Sequence, residues 1–568
     1  MKLPEETTIE TVNLLIDKFK FPAQFINKMI DEFGLNDCEK TLNKQLSNKE
    51  KLKLILNAQG SLLFGGSKEI NIEIRKRIIG AWEASIINFE FENRIVGQGQ
   101  SETYKVRKLS EQRWHNGKKW ANRFVQISGF DGAFAGIAND NKKQKFQDIE
   151  PIVKPPLLKD FQIELKEVLI KTLNEKGVEA KCMVSLPTGG GKTRTAVEAF
   201  VEWLQPRFAN GKYLIWLAQS EELCEQAIAS ISQVWSSREF TDSLRVYRYF
   251  GNNDFSIEDL NGGVVVCTIQ KIYNAILNDT EVIHEIISNC GALIIDEAHR
   301  ATTPMYQKVY EYSQALNGEP MFPICGLTAT PGRNGDSIDL SQLFQYKLYT
   351  PDLGVEYNKD PLVYFRKHKY LANPIHKIIN TNFKIDNVVI DENLKDSSVK
   401  EELEKFFKRT LNKKLATDVN RNIKIISVLK QIKKEQQTLV YACTVDHAIY
   451  LSSMMNFLGR SSVVISSDTR APLRRKYIEQ FKAGEIEFIF NYGVLTTGFD
   501  APKTENIVIC RPTFSDVLYE QIVGRGLRGP KFGGTATCTI IDFCDNYFRF
   551  GDQQAYKRFE NSWYQPIN

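Results

Sequence analysis

What this sequence lacks narrows it first. Its 568 residues hold no CxxC pair, and the ten cysteines are scattered from Cys38 to Cys544. The closest pair, Cys538 and Cys544, fits no common zinc or iron–sulfur spacing, and the six histidines show no metal-ligand spacing either. A disulfide scaffold and a zinc module are thereby excluded. Most cysteines sit in apolar runs such as "VVVCTI", so buried, reduced thiols are expected. No run approaches the ~18 apolar residues that cross a bilayer, and the opening "MKLPEETTIE" lacks the apolar core of a signal peptide. No membrane partner is expected, and the cytoplasm is the expected location. Neither sign of charge dominates: 74 Lys+Arg against 69 Asp+Glu leaves +5, which permits a polyanionic partner without arguing for one. Repeats and low-complexity tracts are missing as well. A chain that is 42% hydrophobic and 25% charged is globular, and at this length it exceeds a single core.

What is present divides the chain. Residues 1–92 read as a helical N-terminal region, with apolar positions at helical spacing in "TVNLLIDKFKFPAQFINKMIDEF" and "EKLKLILNAQGSLLF". Residues 93–150 read as a basic and aromatic connecting region. It carries "RWHNGKKWANR", with four cations and two tryptophans in eleven residues. Such a stretch either stacks on bases and binds phosphates or forms a solvated hairpin with its tryptophans on a neighbouring core. The second is the expectation. Pro155 and Pro156 then stop any helix.

From 151 to 345, short apolar strands ("KCMVSL", "KYLIWLA", "GGVVVCTI", "GALIID", "FPICGLT") alternate with amphipathic helices, as in a sheet covered on both faces. Residues 346–420 read as a helical connector containing "SSVKEELEKFFKRTLNKKL". A second strand series, from "QTLVYA" to "TCTIIDF", occupies 421–550, and 551–568 form a tail. Two α/β units of five strands each are expected.

The chemistry begins at "SLPTGGGKTRTA", residues 185–196, a P-loop with Leu186 where the strict pattern wants glycine. It lies between a strand and a helix that places Val197, Phe200, Val201 and Leu204 on one face. Backbone N–H groups of Gly189, Gly190, Gly191, Lys192 and Thr193, flanked by Thr188, suit the β-phosphate of ATP. Lys192 suits the β- and γ-phosphates, and the Thr193 hydroxyl suits Mg²⁺. "LIIDEAHR" supplies the acidic partner: Asp296 to hold Mg²⁺ through water, and Glu297 to orient or deprotonate an attacking water.

"PTGGGKT", "DEAHR" and "LTATPGR" resemble motifs I, II and III of the superfamily 2 DEAD/DEAH-box helicases. That family commonly carries PTGxGKT, which makes Leu186 a family feature. "GVLTTGFDAP" (493–502) and "YEQIVGRGLRGP" (519–530) resemble motifs V and VI. The resemblance implies an α/β fold of two tandem RecA-like parallel-sheet domains, a helicase core preceded by a mostly helical region. It implies that Gln162 in "LLKDFQ" reads the adenine edge, and that His299, Thr328 and Thr330 couple hydrolysis to nucleic-acid contact. Thr268, Gln270 and Thr496 are implied to touch the nucleic-acid backbone, and Gly498 and Asp500 to face the nucleotide sugar or the domain interface. The spacing QxxGRxxR sets Gln521, Arg525 and Arg528 on one helical face, from which the arginines would reach the γ-phosphate.

DEAH followed by "TATP" looks closest to the motor (Res-like) subunits of type I and III restriction enzymes. The implied activity is an ATP-dependent nucleic-acid helicase or translocase, on DNA more than RNA, in a DNA-repair or phage-defence setting. The alternative is a nucleic-acid-sensing ATPase switch or complex subunit that signals to a partner without processive unwinding. The N-terminal region is expected to dock a protein partner or to sit against the first RecA-like domain. "DFQIELK" and "WHNGKK" resemble nuclease fragments only superficially, and structural roles are expected for both.

Overall fold

The computed structural model describes residues 4–543, apart from 96–100, 137–145, 150–156, 205–210, 319–321, 332–336, 358–360, 382–408, 496–500, 513–515 and positions 178, 239, 241 and 330. Two sheets dominate it. The first is built from β1 (Phe146–Ile149), β2 (Lys181–Ser185), β3 (Tyr213–Ala218), β4 (Leu244–Tyr249), β5 (Gly263–Thr268), β6 (Cys290–Asp296), β7 (Ile324–Thr328) and β8 (Leu348–Tyr349), in the order β1-β4-β5-β3-β6-β7-β2-β8. The second holds β9 (Asn373–Ile379), β10 (Thr438–Tyr441), β11 (Ser462–Ile465), β12 (Phe488–Asn491), β13 (Asn506–Ile509) and β14 (Thr537–Phe543), in the order β11-β12-β10-β13-β14-β9. Every pairing is parallel except that of β1 with β4. Parallel neighbours need helical crossovers, and these cover the sheets. Thus β3 and β5 are buried along their whole length, and the helix Lys192–Leu204 buries Val197, Phe200, Val201 and Leu204 together.

The sheets have eight and six strands where five each were expected. "LRVYRY" carries two arginines among apolar residues, which suits an exposed position, yet it forms the interior strand β4. There Arg248 is only 6% exposed and lies 3.5 Å from Glu225. The connector is built into both sheets as well. It supplies β8 to the first and β9 to the second, where β9 pairs with β14 from Asn373 to Ile379.

The N-terminal helical unit also extends further than its helical periodicity suggests. Helices Glu102–Ser110 and Lys119–Ser128 lie in the segment read as a connection, and they complete the same core. Phe124, Phe130 and Phe134 gather around Phe64, with the Phe64 and Phe130 rings 4.6 Å apart, and Trp120 packs on Phe124. The tryptophans of "RWHNGKKWANR" therefore pack inward, though from a helix and its approach rather than a hairpin. Arg75, buried, ties this unit together by donating to the carbonyls of Phe64, Gly66 and Ser110.

This unit sits against the second α/β domain, not the first. Helix Asn48–Gln59 packs on helix Val445–Phe457, and Cys38–Leu42 on Val419–Gln431. One continuous core joins Met29 and Ile55 to Ile425, Met454 and Phe488. Nine cysteines lie among the described residues, all buried and free; Cys544 lies outside them. No helix among the described residues is long and apolar enough to cross a membrane.

The seam between the N-terminal unit and the second domain is closed by one buried hydroxyl pair, Thr41 Oγ1 and Tyr450 Oη at 2.6 Å. Tyr450→Phe leaves the Thr41 hydroxyl buried without that partner, so urea unfolding is expected to show a loss of about 1–3 kcal/mol. Adding Thr41→Val should recover part of the loss. A neutral Tyr450→Phe would show that this seam contributes nothing at that point.

Candidate functional site: a cleft between two sheets

The loop after β2 turns sharply on glycines. Gly189 and Gly191 both have φ of +86°, where a side chain is strained. A Cβ on Gly191 would also lie 2.4 Å from Gln162 Nε2. Gln162, 3% exposed, braces the loop: its Nε2 donates to the Gly190 carbonyl (3.4 Å) and its Oε1 accepts from the Lys159 N–H (3.0 Å). The amide expected to read adenine thus has both ends on the chain itself. Lys192 opens the 13-residue helix Lys192–Leu204, whose first N–H groups and dipole favour an anion at this end.

At the end of β6, Asp296 is 2% exposed, and Glu297 adopts a left-handed backbone with φ of +55°. Such strain in a non-glycine residue is typical of functional sites. The Glu297 N–H donates to Asp296 Oδ1 (3.0 Å). His299 Nδ1 lies 3.4 Å from Glu297 Oε2 and 3.3 Å from Thr328 Oγ1 at the end of the adjacent strand β7. Burial and the neighbouring Glu297 push the Asp296 carboxyl up to about 7, partly offset by Lys192 and Arg525. For Glu297, burial pushes upward, but His299, Lys192 and Arg525 outweigh it and hold the carboxyl low, at about 2. His299 Nε2 and Gln521 Nε2 are buried with no hydrogen-bond partner among the described residues.

The second domain reaches the same place. Its helix Asp516–Val523 carries Gln521, which is buried. The helix stops before the arginines, which corrects the expected single helical face. Arg525 lies in the following turn, and Arg528 forms an antiparallel bridge with Leu371. Glycines dictate this ending by close approach. A Cβ on Gly524 would stand 2.5 Å from Thr188 Cβ, one on Gly526 2.3 Å from Cys538 Sγ, and one on Gly529 2.4 Å from the Lys369 carbonyl oxygen.

The result is a cleft of about 970 Å³ lined from both sides. The first domain contributes Thr188, Gly189, Gly191, Lys192, Thr193, Asp296 and Glu297; the second contributes Arg525 and Arg528. Gly190 lies in the loop behind it. Two nucleic-acid candidates lie elsewhere: Thr268 caps helix Ile269–Leu277 by accepting from the Lys271 N–H (3.3 Å), and Gln270 beside it is exposed. Thr330, Thr496, Gly498 and Asp500 lie outside the described residues.

Three features escaped sequence reasoning. Leu371, in the crossing between domains, has its Cδ2 3.4 Å from where a Gly189 Cβ would stand. Arg474 pairs with Glu222 across the cleft. Arg470 and Arg475 line the same wall. Opposed charge in "SEELCEQ" and "TRAPLRRK" was the available signal for the last two.

The donor set fits a magnesium nucleotide. Hard oxygen donors, Asp296 and the Thr193 hydroxyl, are the residues that would hold Mg²⁺. A buried carboxyl raised toward neutrality is one that a cation would stabilise in its ionised form. Cation affinity is therefore expected to be full above about pH 7, where Asp296 is ionised, and to fall about tenfold per unit below it. Magnesium titration of the nucleotide complex at about pH 6 and about pH 8 checks this, and Asp296→Asn should flatten the dependence. By the same sign, the cation-free protein loses stability as pH rises from the unfolded value near 3.8 to about 7.

Comparison with known proteins agrees with this geometry. Residues 156–333 match the model of the type III restriction enzyme res subunit, and residues 420–529 match the helicase conserved C-terminal domain. The chain is 28% identical over 407 residues to IRC3 of Saccharomyces cerevisiae, described as an ATP-dependent helicase, covering 70% of this chain and 53% of that one. It is 22% identical to helicase 22 of the Sulfolobus islandicus filamentous virus, over 93% of this chain and 89% of the relative. It is also 22% identical to the EcoKI type I restriction endonuclease subunit of Escherichia coli, over 65% and 33%. The chain thus spans about half the length of the yeast relative. Two matched helicase domains facing each other across one charged cleft identify the family: the chain belongs to the superfamily 2 helicases, with a first domain of the restriction-motor type.

Proposed function

We propose that this chain is an ATP-driven helicase or translocase that works on DNA, with ATP hydrolysed between its two α/β domains. The observation that carries the reading is the single cleft where Lys192, Asp296 and Glu297 of one domain share space with Arg525 and Arg528 of the other. The glycine-rich loop and Lys192 would seat the phosphates. Thr193 and Asp296 would hold Mg²⁺, which would supply charge neutralisation at the phosphates. Glu297, held ionised beside His299, would accept a proton from the attacking water. Arg525 and Arg528 would stabilise the charge that builds on the transferring phosphate, an electrostatic role for which planar, always-charged guanidinium groups suit. His299 bridges Glu297 and Thr328, so a shift in β7 reaches the carboxylate directly.

DNA is the proposed track, and DNA repair or phage defence in the cytoplasm the proposed setting. The likeness to restriction-enzyme motor subunits supports both. ATP hydrolysis is to be measured alone and with single- and double-stranded DNA and RNA. Stimulation by DNA, lost in Lys192→Ala, is expected, and Arg525→Ala should lower kcat by about 10³-fold with the fold intact. Strand displacement on the stimulating polymer then separates a motor from a sensing switch. Hydrolysis indifferent to every polymer would sink the motor reading.

Gly524→Ala offers a subtler check, since its new methyl collides with Thr188 and pushes the arginine turn away from the loop. A displacement of this kind is expected to lower kcat by up to about 10²-fold. Affinity for a fluorescent nucleotide, governed by the first domain, should stay near that of the parent protein.

A further inference from the structure

The segment that returns from the first domain to the second has its backbone in one and a large side chain in the other. Its backbone is bound to the second domain: the Tyr370 carbonyl accepts from the Gly529 N–H (2.9 Å), and the Lys369 carbonyl from the Lys531 N–H (3.1 Å). The Tyr370 ring sits in the first. It is 7% exposed, within the core that also holds Phe161 and Phe365. It meets Phe161 edge-on, with centroids 5.3 Å apart and planes at 69°. Phe161 adjoins Gln162, the residue that braces the P-loop.

The same ring reaches the arginine turn from behind. Phe532, just past that turn, lies 5.5 Å from it, and Lys531 Nζ stands 4.6 Å from its centroid. Tyr364, of helix Pro361–Lys367, and His368 just after it stack with the ring at 28° and 16°. There is little slack beside it. A Cβ on Gly529 would stand 2.6 Å from the Tyr370 carbonyl carbon. Interiors packed this closely pass a displacement on rather than absorb it. One side chain thus touches both the helix that steadies the phosphate loop and the segment that carries Arg525 and Arg528.

We propose that Tyr370 is a positioning residue, whose ring is the spacer that sets Arg525 and Arg528 against the P-loop. It does not line the cleft, so it acts on the reaction through the arginines. The inference rests on the reading of ATP hydrolysis between the two domains, and it names the residue that places the second domain's contribution.

The test uses the full chain, steady-state ATP hydrolysis and equilibrium binding of a fluorescent, non-hydrolysable ATP analogue. Tyr370→Ala removes the ring, and Tyr370→Phe keeps it. Tyr370→Ala is expected to lower kcat about 10²-fold, as a misplacement of about 1 Å can, with analogue affinity within about threefold of the parent. Tyr370→Phe should hydrolyse ATP at nearly the parent rate. The decisive readout is the cycle with Arg525→Ala. Once the arginine is gone the ring has less to place, so adding Tyr370→Ala should lower kcat by no more than about threefold further. Losses that multiply in full overturn the proposal. So does a Tyr370→Ala that matches the parent, or one that loses affinity as far as it loses kcat. If thermal melting shows Tyr370→Ala unfolded, Phe532→Leu breaks the same series of contacts on the other side of the ring and is read by the same cycle. A parent chain that hydrolyses no ATP overturns the underlying reading and this one with it; a hydrolysing parent in which Tyr370 and Arg525 act independently overturns this one alone.

Discussion

The chemistry of this molecule depends on a close approach between two loops that belong to different sheets. The turn holding Arg525 and Arg528 comes so near the P-loop that position 524 has no room for a methyl against Thr188, and Gly189 faces the backbone of Arg528. Without that approach the lysine and carboxylates of the first domain form an incomplete site. With it, two further cations enter a cavity whose electrostatic interactions burial has already strengthened. The approach is also reinforced at its edges. Arg474 pairs with Glu222 across the cleft, and Leu371 fills the space beside Gly189 while its backbone bridges to Arg528. The crossing segment Lys369–Ala372 is stitched to the arginine turn by three hydrogen bonds, from Ala372 to Leu527, Gly529 to Tyr370 and Lys531 to Lys369. The hinge between the domains and the arginines therefore form one piece of structure.

Charge explains why the approach is tolerated. Asp296 and Glu297 are adjacent, both buried, and repel each other; burial alone would push both toward protonation. Lys192, His299 and Arg525 divide the pair instead, leaving Glu297 ionised and Asp296 raised. One carboxyl held ionised and one raised toward neutrality are thus made from two neighbouring groups by surroundings alone. The left-handed backbone at Glu297 is the conformational cost of placing them so close on one strand end.

Much of this was legible in the sequence because it rests on local rules. A strand, a glycine loop and a helix with Val197, Phe200, Val201 and Leu204 on one face fix the P-loop, and the motif order along the chain carries the two-domain arrangement. What was not legible depended on contacts between distant segments. Arg248 in β4 mimics a surface strand, because its burial beside Glu225 comes from another element. The helical face drawn through Gln521, Arg525 and Arg528 failed for the same reason. Spacing alone continues the helix, whereas Gly524, Gly526 and Gly529 are pressed against Thr188, Cys538 and Lys369 and end it. Gln162 is a milder case: its position beside the loop was foreseeable, but its engagement by Lys159 and Gly190 was not.

The least foreseeable feature is the seat of the N-terminal unit, and it changes how the two domains are put together. Residues up to Gly136 share a core with the second domain, the chain then crosses to build the first sheet from Phe146 onward, and it returns at Leu371. The first domain is in effect inserted into a larger body made of the helical unit, β9 and the second sheet. The return crossing is bonded to the arginine turn, so opening the cleft must move the arginines relative to the P-loop. The position of the arginines is in this way tied to the motion of the larger body.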